Sequence, residues 1–486
     1  MNDSLRDAYE RVSVKNVLFY MRNVRTRMPF KYGVATLTSV PILHTEMTIE
    51  NANGTAGIGV AADILPPKWF DKDPAKDYID NVNDLLFVAR SAADAYTEFS
   101  RAPRAMFDIW RDGYGATLAA GDSRELNHLT SSHGSTLMER ALIDAIGRLR
   151  GQSYHEMLQE NTLGIRFESL HNELQGVTPD DVITSPPLTG MYVRHTVGLA
   201  DPIMTADIPS DERLGDGLPQ SLEEYVNFQG LSYLKIKVNG DLEADLDRLR
   251  QIARLMDRSV RPYHLTLDGN EQYRDMESFL ALLDRIEEDT NLTRFYNSIL
   301  FIEQPLERSI ALEPNLADGI RSVSARKPML VDESDGDIDT FKQAAGLGYK
   351  GVSSKNCKGL IKALANLGLA RHLGQDYFLS GEDLMNLPVV PVHQDLTHVA
   401  CLGVNHVERN GHHYVYGLNH LSEQEREACR KNHGTLYREL GDSLVLDIQD
   451  GKIDISSLQI PGLGAGDAVT VSHMTPLDAW KFESLA

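Results

Sequence analysis

The sequence predicts an α/β barrel of parallel strands joined to a smaller α+β region. From about residue 190 onward, short apolar segments alternate with helical patterns, and seven or eight such repeats favour closure of a parallel sheet into a barrel. In the N-terminal part, a period-two pattern is typical of an antiparallel sheet. The chain has 486 residues, which leaves room for a second region beside a barrel of about 250 residues.

The N-terminal region is predicted to start with strands between residues 14 and 62. Apolar and polar residues alternate from Leu43 to Glu50, so one face of the sheet is expected to be buried and the other wet. The stretch from Asn51 to Gly54 predicts a turn, after which residues 55–61 return beside the preceding strand. A loop is expected at residues 28–34.

Residues 74–150 are predicted to be mainly helical. The clearest signal is Thr136-Leu-Met-Glu139, a capping-box pattern at the start of a helix whose apolar residues recur at helical spacing as far as Leu149. Residues 201–219 are rich in Asp, Pro and Gly, which predicts a loop or lid.

Each predicted barrel strand is a short apolar segment bounded by polar or turn-forming residues. A helix with one apolar side is expected at residues 241–257, and helical patterns separate most of the strands. The predicted strands are Met191–Gly198, Tyr233–Val238, Tyr263–Leu267, Ile299–Ile302, Met329–Val331, Gly351–Ser354 and Tyr377–Leu379.

The C-terminal part does not continue the alternation of strands and helices. Residues 444–448 and 452–455 flank Asp450-Gly451, which predicts a β-hairpin that returns to the N-terminal region. We therefore divide the chain into an N-terminal domain at residues 1–185, a barrel at 186–425 and a C-terminal segment at 426–486 that rejoins the N-terminal domain.

Charge and composition argue against several classes of partner. The chain carries 48 Lys and Arg against 70 Asp and Glu, a net charge of −22, which argues against nucleic acid and anionic membranes. No apolar run reaches the ~18 residues of a membrane span. A small anionic substrate would therefore need local positive charge or a metal ion.

Cysteine usage and the start of the chain bear on the compartment. Cys357, Cys401 and Cys429 are widely spaced, which indicates neither a disulfide framework nor a structural zinc site and favours a reducing compartment. The first residues lack the apolar core of a signal peptide. We expect a cytoplasmic protein.

Two lysines, Lys235 and Lys237, lie two residues apart in a predicted strand and therefore on the same face of it. Neighbouring ammonium groups lower each other's pKa, so one of them can be neutral often enough to take up a proton near neutral pH. Two solvated lysines on an exposed strand are the alternative interpretation of this pair taken alone.

Three acidic residues follow consecutive predicted strands: Asp268 in Asp-Gly-Asn, Glu303 in Glu-Gln-Pro and Asp332 in Asp-Glu-Ser. The carboxyl ends of barrel strands meet at one face, where barrel enzymes have their active sites. Three carboxylates brought together repel one another unless a hard divalent cation lies among them, and oxygen ligands suit Mg²⁺. Each fragment alone is also a common turn, but their coincidence after three apolar strands favours a metal site.

Together these motifs resemble the muconate cycloisomerase and mandelate racemase branches of the enolase superfamily. The likeness rests on Lys235-x-Lys237, the acid Asp268, Glu-Gln-Pro from Glu303 and Asp-Glu-Ser from Asp332, and it covers most of the chain. It implies a modified (β/α)₇β TIM-type barrel with an α+β capping domain formed by the N-terminal region and the C-terminal tail.

The resemblance also implies a chemical step. One Mg²⁺ per active site, held by Asp268, Glu303 and Asp332, would bind a substrate carboxylate while a base removes the proton from the adjacent carbon. By this likeness Lys237 is the base, and Lys235 helps to hold the carboxylate and lowers the pKa of Lys237.

A second acid/base residue is expected on the sixth barrel strand. Muconate cycloisomerases carry a lysine a few residues before a Gly-Gly pair, and counting back from Gly359 places Ser353 at that position, whereas Lys355 lies two residues later. We favour Lys355, because a lysine can exchange a proton near neutral pH; if Ser353 holds the position, a one-base mechanism follows. Lys358 is assigned to the first turn of a helix.

Further candidates lie at the ends of the later strands. Glu408 resembles a family position that binds the substrate carboxylate, whereas Glu382 and Asp383 are equally well interpreted as structural caps. Polar loop or substrate contacts are favoured over zinc for a histidine cluster without regular metal spacing. The histidines are His406, His412, His413 and His420, the substrate-binding candidates are Asn270, Ser353, Asn356, Glu382, Asp383 and Glu408, and Arg194 and His195 are weaker candidates.

The predicted function is Mg²⁺-dependent removal of the α-proton of a carboxylate substrate, with dehydration of a sugar acid or hydroxy acid favoured over an apolar substrate. Racemisation, epimerisation or cycloisomerisation is the alternative within the same superfamily. A barrel aldolase that forms a Schiff base through one lysine and a non-catalytic binding protein are the alternatives from other classes. We expect a homo-oligomer.

Overall fold

The computed structural model describes residues 10–32 and 35–485. The strands are β1 Arg11–Tyr32, β2 Ala35–Asn51, β3 Ala56–Ile64, β4 Arg104–Ala105, β5 Gly190–Val197, β6 Tyr233–Lys237, β7 His264–Asp268, β8 Ile299–Glu303, β9 Met329–Val331, β10 Gly351–Ser354, β11 Phe378–Gly381, β12 His406–Arg409, β13 Tyr437–Leu440, β14 Ser443–Leu446, β15 Lys452–Asp454 and β16 Thr475–Pro476. The α-helices are α1 Tyr78–Phe99, α2 Met106–Asp122, α3 His128–Arg150, α4 Tyr154–Gln159, α5 Pro179–Val182, α6 Leu222–Gln229, α7 Leu242–Met256, α8 Met276–Glu288, α9 Thr293–Ser298, α10 Ala317–Arg326, α11 Thr340–Leu347, α12 Leu360–Leu373, α13 Val390–Leu402, α14 Gly411–Tyr414 and α15 Glu423–Asn432.

Strands β5 to β12 form a closed barrel of eight parallel strands. Each strand pairs with the next along the chain, and β12 pairs with β5. A helix follows each of the first seven strands, so the predicted (β/α)₇β barrel is confirmed. The seven strands predicted from the sequence are all present, and α7 matches the helix expected at residues 241–257. The last strand, β12, is short and mostly polar, which is why no periodic pattern marked it.

The pairing register sets the position of the acidic residues. Lys237 lies opposite Asp268 across the β6–β7 pair, and Asp268 lies opposite Glu303 across the β7–β8 pair. Asp332 directly follows β9. Because parallel strands of a barrel end at the same face, these side chains are brought to one end of the barrel.

The capping domain is an antiparallel sheet in the order β16-β1-β2-β3, on which helices α1 to α3 pack. The predicted return of the chain after Asn51 is confirmed, because β3 pairs with β2 from Ile42 to Glu50. The prediction of a loop at residues 28–34 is wrong for residues 28–32, because β1 continues to Tyr32. Residues 33 and 34 lie outside the described part of the chain. Residues 201–219 contain only two short 3₁₀ turns and otherwise form a loop.

The start of helix α3 differs from the prediction. The helix begins at His128, and its N-cap is Asn127, whose side chain accepts a hydrogen bond from the Thr130 amide. The capping box at Thr136 is therefore wrong, because this residue lies inside the helix. The first two turns contain residues of poor helix propensity, but they are buried against α1 and α2, so tertiary packing outweighs the local preference.

Glu139 has a different role from the capping function expected for it. Its Oε1 accepts a hydrogen bond of 2.6 Å from the amide of Ile361 at the start of α12, and so the side chain joins the capping domain to the barrel. Burial raises the pKa of Glu139 from 4.5 to about 7, and hydrogen bonds to the Ile361 and Leu360 amides oppose the rise only in part.

The raised pKa of Glu139 predicts a pH-dependent change in stability. The folded state binds the proton more tightly than the unfolded state, so this residue's contribution to stability is lost as the pH rises from 4.5 to about 7. The loss is on the order of 3 kcal/mol. Glu139→Gln resembles the protonated form, and we expect its melting temperature, relative to the wild type, to rise between pH 5 and pH 8. A constant difference in melting temperature across that range would contradict this assignment.

The C-terminal tail follows the prediction only in part. The tight turn at Asp450-Gly451 is present, because Gln449 and Lys452 exchange two backbone hydrogen bonds of 2.9 Å across it. The pairing expected between the flanking segments is wrong beyond this turn: β14 pairs with β13, and β15 pairs antiparallel with β5 of the barrel. Backbone hydrogen bonds from Gly451 to Gln229 and from Val193 to Gly451 attach this segment to the barrel. The chain returns to the N-terminal region at Leu463, whose amide donates a hydrogen bond of 2.8 Å to Asp144 of α3, and it joins the capping sheet at β16, where Pro476 lies opposite Tyr20.

Among the described residues, no helix combines the length and apolar character needed to cross a membrane.

Candidate active site

A pocket lies between the carboxyl ends of the barrel strands and the capping domain. It encloses about 440 Å³, including the space at its opening to solvent. One half is lined by polar and charged residues of the barrel and the other by apolar residues. The lining consists of Phe30, Tyr32, Leu37, Ile64, Pro66, Trp69, Lys235, Lys237, Asn270, Lys355, Asp383, Leu384, Met385, Glu408 and Asn410.

Lys235 lies at the centre of a buried cluster of carboxylates. Its side chain is 1% exposed. Its Nζ lies 2.9 Å from Asp268, 2.7 Å from Glu303, 2.8 Å from Glu382 and 3.0 Å from Glu408. Four acidic partners around one ammonium group make Lys235 the electrostatic centre of this face of the barrel.

The carboxylates reverse the pKa shift that the sequence predicted for Lys235. Burial by itself lowers the pKa of this lysine, but the attraction of Asp268, Glu303 and the other two carboxylates raises it well above its usual value. The prediction of a lysine pair that depresses each other's pKa is therefore wrong for Lys235. The pattern of lysines on one strand could not show how many acids from other strands converge on it.

Lys237 lies at the end of the same strand and faces the pocket. Its Nζ donates a hydrogen bond of 2.5 Å to Asp268 Oδ2, and the side chain is buried. Asp268 therefore contacts both lysines of the motif. Burial raises the pKa of Asp268, but the two ammonium groups outweigh burial and hold it below its usual value.

Asp332 is the centre of a second ionic group. Lys355 Nζ lies 2.7 Å from Asp332 Oδ2, and Ser353 donates a hydrogen bond of 2.5 Å to Oδ1. Lys358 donates to both Ser353 Oγ, at 2.6 Å, and the Asp332 carbonyl oxygen, at 2.9 Å. Burial raises the pKa of Asp332, but Lys355 and Lys358 outweigh it and lower the pKa.

The structure distinguishes the two candidates on the sixth strand. Lys355 lines the pocket, and its Nζ lies 4.5 Å from the centre of the Trp69 ring. Ser353 points to Asp332 and Lys358 instead. Lys358, which is predicted to lie in the first turn of a helix, ends a short 3₁₀ helix before α12 and is buried beside Asp332. The sequence could not indicate this role, because a lysine before a helix is usually solvated.

The other substrate-binding candidates divide into two groups. Asn270, Asp383 and Glu408 line the pocket. The remaining candidates, Ser353, Asn356 and Glu382, lie behind the residues that line the pocket. Ser353 contacts Asp332 and Lys358, and Asn356 donates a hydrogen bond to the Pro391 carbonyl oxygen. Glu382 forms ion pairs with Arg194 and Lys235.

The lining acids already have partners. Glu408 accepts hydrogen bonds from Lys235, Thr196 and the Asp383 amide. Asp383 accepts from Arg409 and the amides of Asn386 and Asn410. Burial raises the pKa of Asp383 to about 7, although Arg409 opposes the rise.

The predicted histidine cluster is split by the fold. His412 and His195 approach each other with ring nitrogens 3.1 Å apart, and His413 lies 3.3 Å from Asp201. His406 stacks on Tyr233, and His420 contacts the Pro388 carbonyl oxygen. Burial lowers the pKa of His195 and of His412 well below the usual value, so these rings are neutral polar groups of the interior.

The three acids predicted to bind Mg²⁺, Asp268, Glu303 and Asp332, are all buried at the carboxyl ends of the barrel strands. In the described part of the chain, no group of three or more His, Cys, Asp or Glu side chains is arranged to hold a metal ion as it stands. Lysine ammonium groups contact the carboxylates instead. The donors nevertheless fit the ion: all three are buried oxygen ligands on adjacent strands, and the Lys235 ammonium shows that a cation is accommodated between Asp268 and Glu303.

At Glu303, the buried negative charge of the carboxylate cluster is not fully balanced by the nearby lysine. Its two oxygens both lie 2.7 Å from Lys235 Nζ. Even so, burial and the repulsion of Asp268 and Glu382 raise its pKa well above the usual value. A divalent ion beside these carboxylates would reduce that repulsion.

Comparison with known proteins identifies the architecture. No protein-family model matches the chain, and no curated protein matches it. Solved structures do. A dipeptide epimerase from Enterococcus faecalis V583, complexed with Mg and the dipeptide L-Leu-L-Tyr, superposes with a TM-score of 0.59 at 13% identity, covering 93% of this chain and 99% of that one.

Two further structures agree. An enolase from Bradyrhizobium, complexed with magnesium and mandelic acid, has a TM-score of 0.57 at 15% identity and covers 94% of this chain and 96% of that one. An N-succinyl Arg/Lys racemase from Bacillus cereus ATCC 14579 has a TM-score of 0.58 at 14% identity, with 93% and 95% covered. This chain has the enolase-superfamily fold. The resemblance stated from the motifs is confirmed at the level of fold.

The apolar half of the pocket was missed by sequence reasoning. Phe30, Tyr32 and Trp69 come from the capping domain, and Leu384 and Met385 follow β11. Apolar residues in strands and turns serve a core equally well, so nothing in their local pattern marked them as pocket residues.

Proposed function

We propose that this protein is an enzyme of the enolase type that uses Mg²⁺, removes the α-proton of a carboxylate substrate and returns a proton to the same carbon. The observation that carries the proposal is a pair of lysines, Lys237 and Lys355, that line one pocket from opposite sides of the barrel. They belong to strand β6 and to the end of β10. Strands four apart in a closed barrel of eight face each other across its axis.

Each residue of the site has a separate role in the proposed reaction. Mg²⁺ bound by Asp268, Glu303 and Asp332 would hold the substrate carboxylate and stabilise negative charge on its oxygens. Lys237, in its uncharged form, takes the proton from one face of the α-carbon, and Lys355 gives a proton to the other face. Lys235 adds a positive charge beside the carboxylate, and the capping domain limits the entry of water.

Return of the proton to the α-carbon is favoured over dehydration by the two opposed lysines. A base on each face inverts the configuration of the carbon, as in a racemase or epimerase. Dehydration, which the sequence favoured, stays a prediction. The known structures of similar fold support the choice of metal and substrate class, since two of them contain Mg with an organic ligand.

Exchange of the α-proton with solvent tests the proposal. A library of enantiopure carboxylates, incubated with the protein and Mg²⁺ in D₂O, is expected to include members that lose the α-proton NMR signal and optical activity. Loss of water from a hydroxy acid would indicate dehydration instead. Removal of Mg²⁺ with EDTA is expected to stop the reaction.

Two outcomes would reject the proposal. Full activity after EDTA treatment, together with a lysine adduct trapped by borohydride, would indicate a Schiff-base aldolase. Binding of carboxylates with no exchange for any library member would indicate a non-catalytic binding protein.

Substitutions on the sixth strand test the second base. We expect Lys355→Met to lower racemisation by ~10²–10⁴-fold, while one enantiomer still exchanges its proton through Lys237. Ser353→Ala is the matched control, and we expect it to change the rate less than about tenfold, because Ser353 contacts Asp332 and Lys358 and not the pocket. Equal losses in the two variants would contradict the role of Lys355.

A further inference from the structure

The half of the pocket that faces the capping domain is apolar and is built from distant parts of the chain. Strand β1 contributes two aromatic rings, β2 and β3 each contribute an aliphatic side chain, and the turns after β3 and β11 add the rest. The residues are Phe30, Tyr32, Leu37, Ile64, Trp69, Leu384 and Met385. Six of these residues are at most 6% exposed and Tyr32 is 9% exposed, so this wall is packed against the protein interior.

The rings of this wall are held in place by one another and by the backbone. Tyr32 donates a hydrogen bond of 2.7 Å from its hydroxyl to the Pro67 carbonyl oxygen. Phe30 lies 5.0 Å from Tyr32 and stacks on Tyr414 at 4.1 Å, measured between ring centres. Because the Tyr32 hydroxyl is already bonded to the backbone, this part of the wall presents ring surface to the pocket and not a polar group.

The opposite half of the pocket is charged. Lys235, Lys237 and Lys355 line it, and the boundary between the halves lies where Lys355 Nζ meets the Trp69 ring at 4.5 Å. A carboxylate attracted to the lysines therefore has its α-carbon close to the boundary. Whatever is attached to that carbon on the side of Trp69 extends over the apolar wall.

We infer that the substrate is a carboxylate whose α-carbon carries a large apolar group, either aromatic or branched aliphatic. This inference rests on the function proposed above and departs from the sugar acid or hydroxy acid that the sequence favoured. A chain of hydroxyl groups placed against the wall would lose its hydrogen bonds to water without gaining partners. An apolar group placed there is removed from water at no such cost.

Trp69 is the residue that we expect to determine this specificity. It presents the largest side chain of the apolar wall and lies next to Lys355, so it contacts the substituent closest to the reacting carbon. Trp69→Ala removes the ring, whereas Trp69→Phe keeps an aromatic surface and the contact with the lysine ammonium. The Ala variant is expected to lose the preference for apolar substrates, and the Phe variant is expected to retain most of it.

Matched acids that differ only in the group beyond the α-carbon test the inference. The pairs are 3-phenyllactate with glycerate, and N-acetylphenylalanine with N-acetylserine. Binding to the Mg²⁺-loaded protein is measured by calorimetry and α-proton exchange by NMR in D₂O. We expect the apolar member of each pair to bind at least about tenfold more tightly, and Trp69→Ala to reduce that ratio to less than about threefold. Phe228→Ala, an exposed aromatic residue on α6 at 61% exposure, is the control and is expected to leave the ratio unchanged.

The two measurements separate failure of this inference from failure of the proposed function. Tighter binding of the apolar acids without any exchange would reject the proposed chemistry but support the ligand class. Exchange or binding that favours glycerate and N-acetylserine would overturn the ligand class while leaving the chemistry intact. Absence of binding by all four acids would overturn the inference.

Discussion

Replacement of Lys237 by alanine is expected to abolish turnover, with a loss of ~10²–10⁴-fold in kcat for α-proton exchange. Lys237 faces the pocket from the end of β6, and no second lysine is expected to reach the same face of the α-carbon. The fold should survive, because Asp268, the partner of Lys237, also lies 2.9 Å from Lys235 and keeps a compensating charge. The measurement is exchange of each enantiomer in D₂O, together with the melting temperature.

A lysine outside the pocket provides the control for Lys237→Ala. Lys342 forms an ion pair of 2.6 Å with Glu173, and its side chain is 51% exposed. Lys342→Ala is expected to exchange α-protons at the normal rate, since exposed ion pairs contribute little. Near-normal exchange by Lys237→Ala would remove Lys237 from its proposed role.

Replacement of Lys235 by methionine is expected to have a large effect on stability. This substitution removes the ammonium group that contacts Asp268, Glu303, Glu382 and Glu408. Asp268 keeps Lys237 and Glu382 keeps Arg194 as partners, but the buried Glu303 and Glu408 lose the cation that they contact. Breaking a buried ionic group in this way costs on the order of 3–5 kcal/mol. We therefore expect a markedly lower melting temperature in EDTA.

Mg²⁺ is expected to restore much of the stability lost in Lys235→Met. A cation bound by Asp268, Glu303 and Asp332 would supply the missing positive charge, and binding to the folded state alone raises its stability. The increase in melting temperature on adding Mg²⁺ should be larger for Lys235→Met than for the wild type. This measurement reports on the metal site without any assay of activity.

A second buried lysine serves as the matched control. Lys362 lies 3.1 Å from Asp335 and is 3% exposed, but it lies behind the pocket and not among the proposed metal ligands. Lys362→Met is expected to lower the melting temperature without a specific response to Mg²⁺. An equal response to Mg²⁺ in both variants, or none in Lys235→Met, would count against a metal ion at the three strand ends.

Local patterns failed where packing decided the structure. Thr136 and Glu139 satisfied a capping-box pattern, yet α3 starts at His128 because its first turns are buried against α1 and α2. Asp450-Gly451 forms the turn that its hairpin pattern predicts, yet the strand after it pairs with β5 and not with the segment before the turn. In both cases, contacts with residues far along the chain decided what a few neighbouring residues could not.

The amino-acid sequence by itself determined the barrel, the strands that build it and the positions of Lys235, Lys237 and the three acids at the strand ends. It could do so because strand period and the residue that follows a strand are local features, and a closed barrel brings all such ends to one face. Only the tertiary structure decided that four acids surround Lys235, that Lys355 and not Ser353 lines the pocket, and that aromatic residues of the capping domain form its other wall. These features depend on which side chains meet across hundreds of residues, and apolar residues carry no local mark that separates a pocket wall from a core.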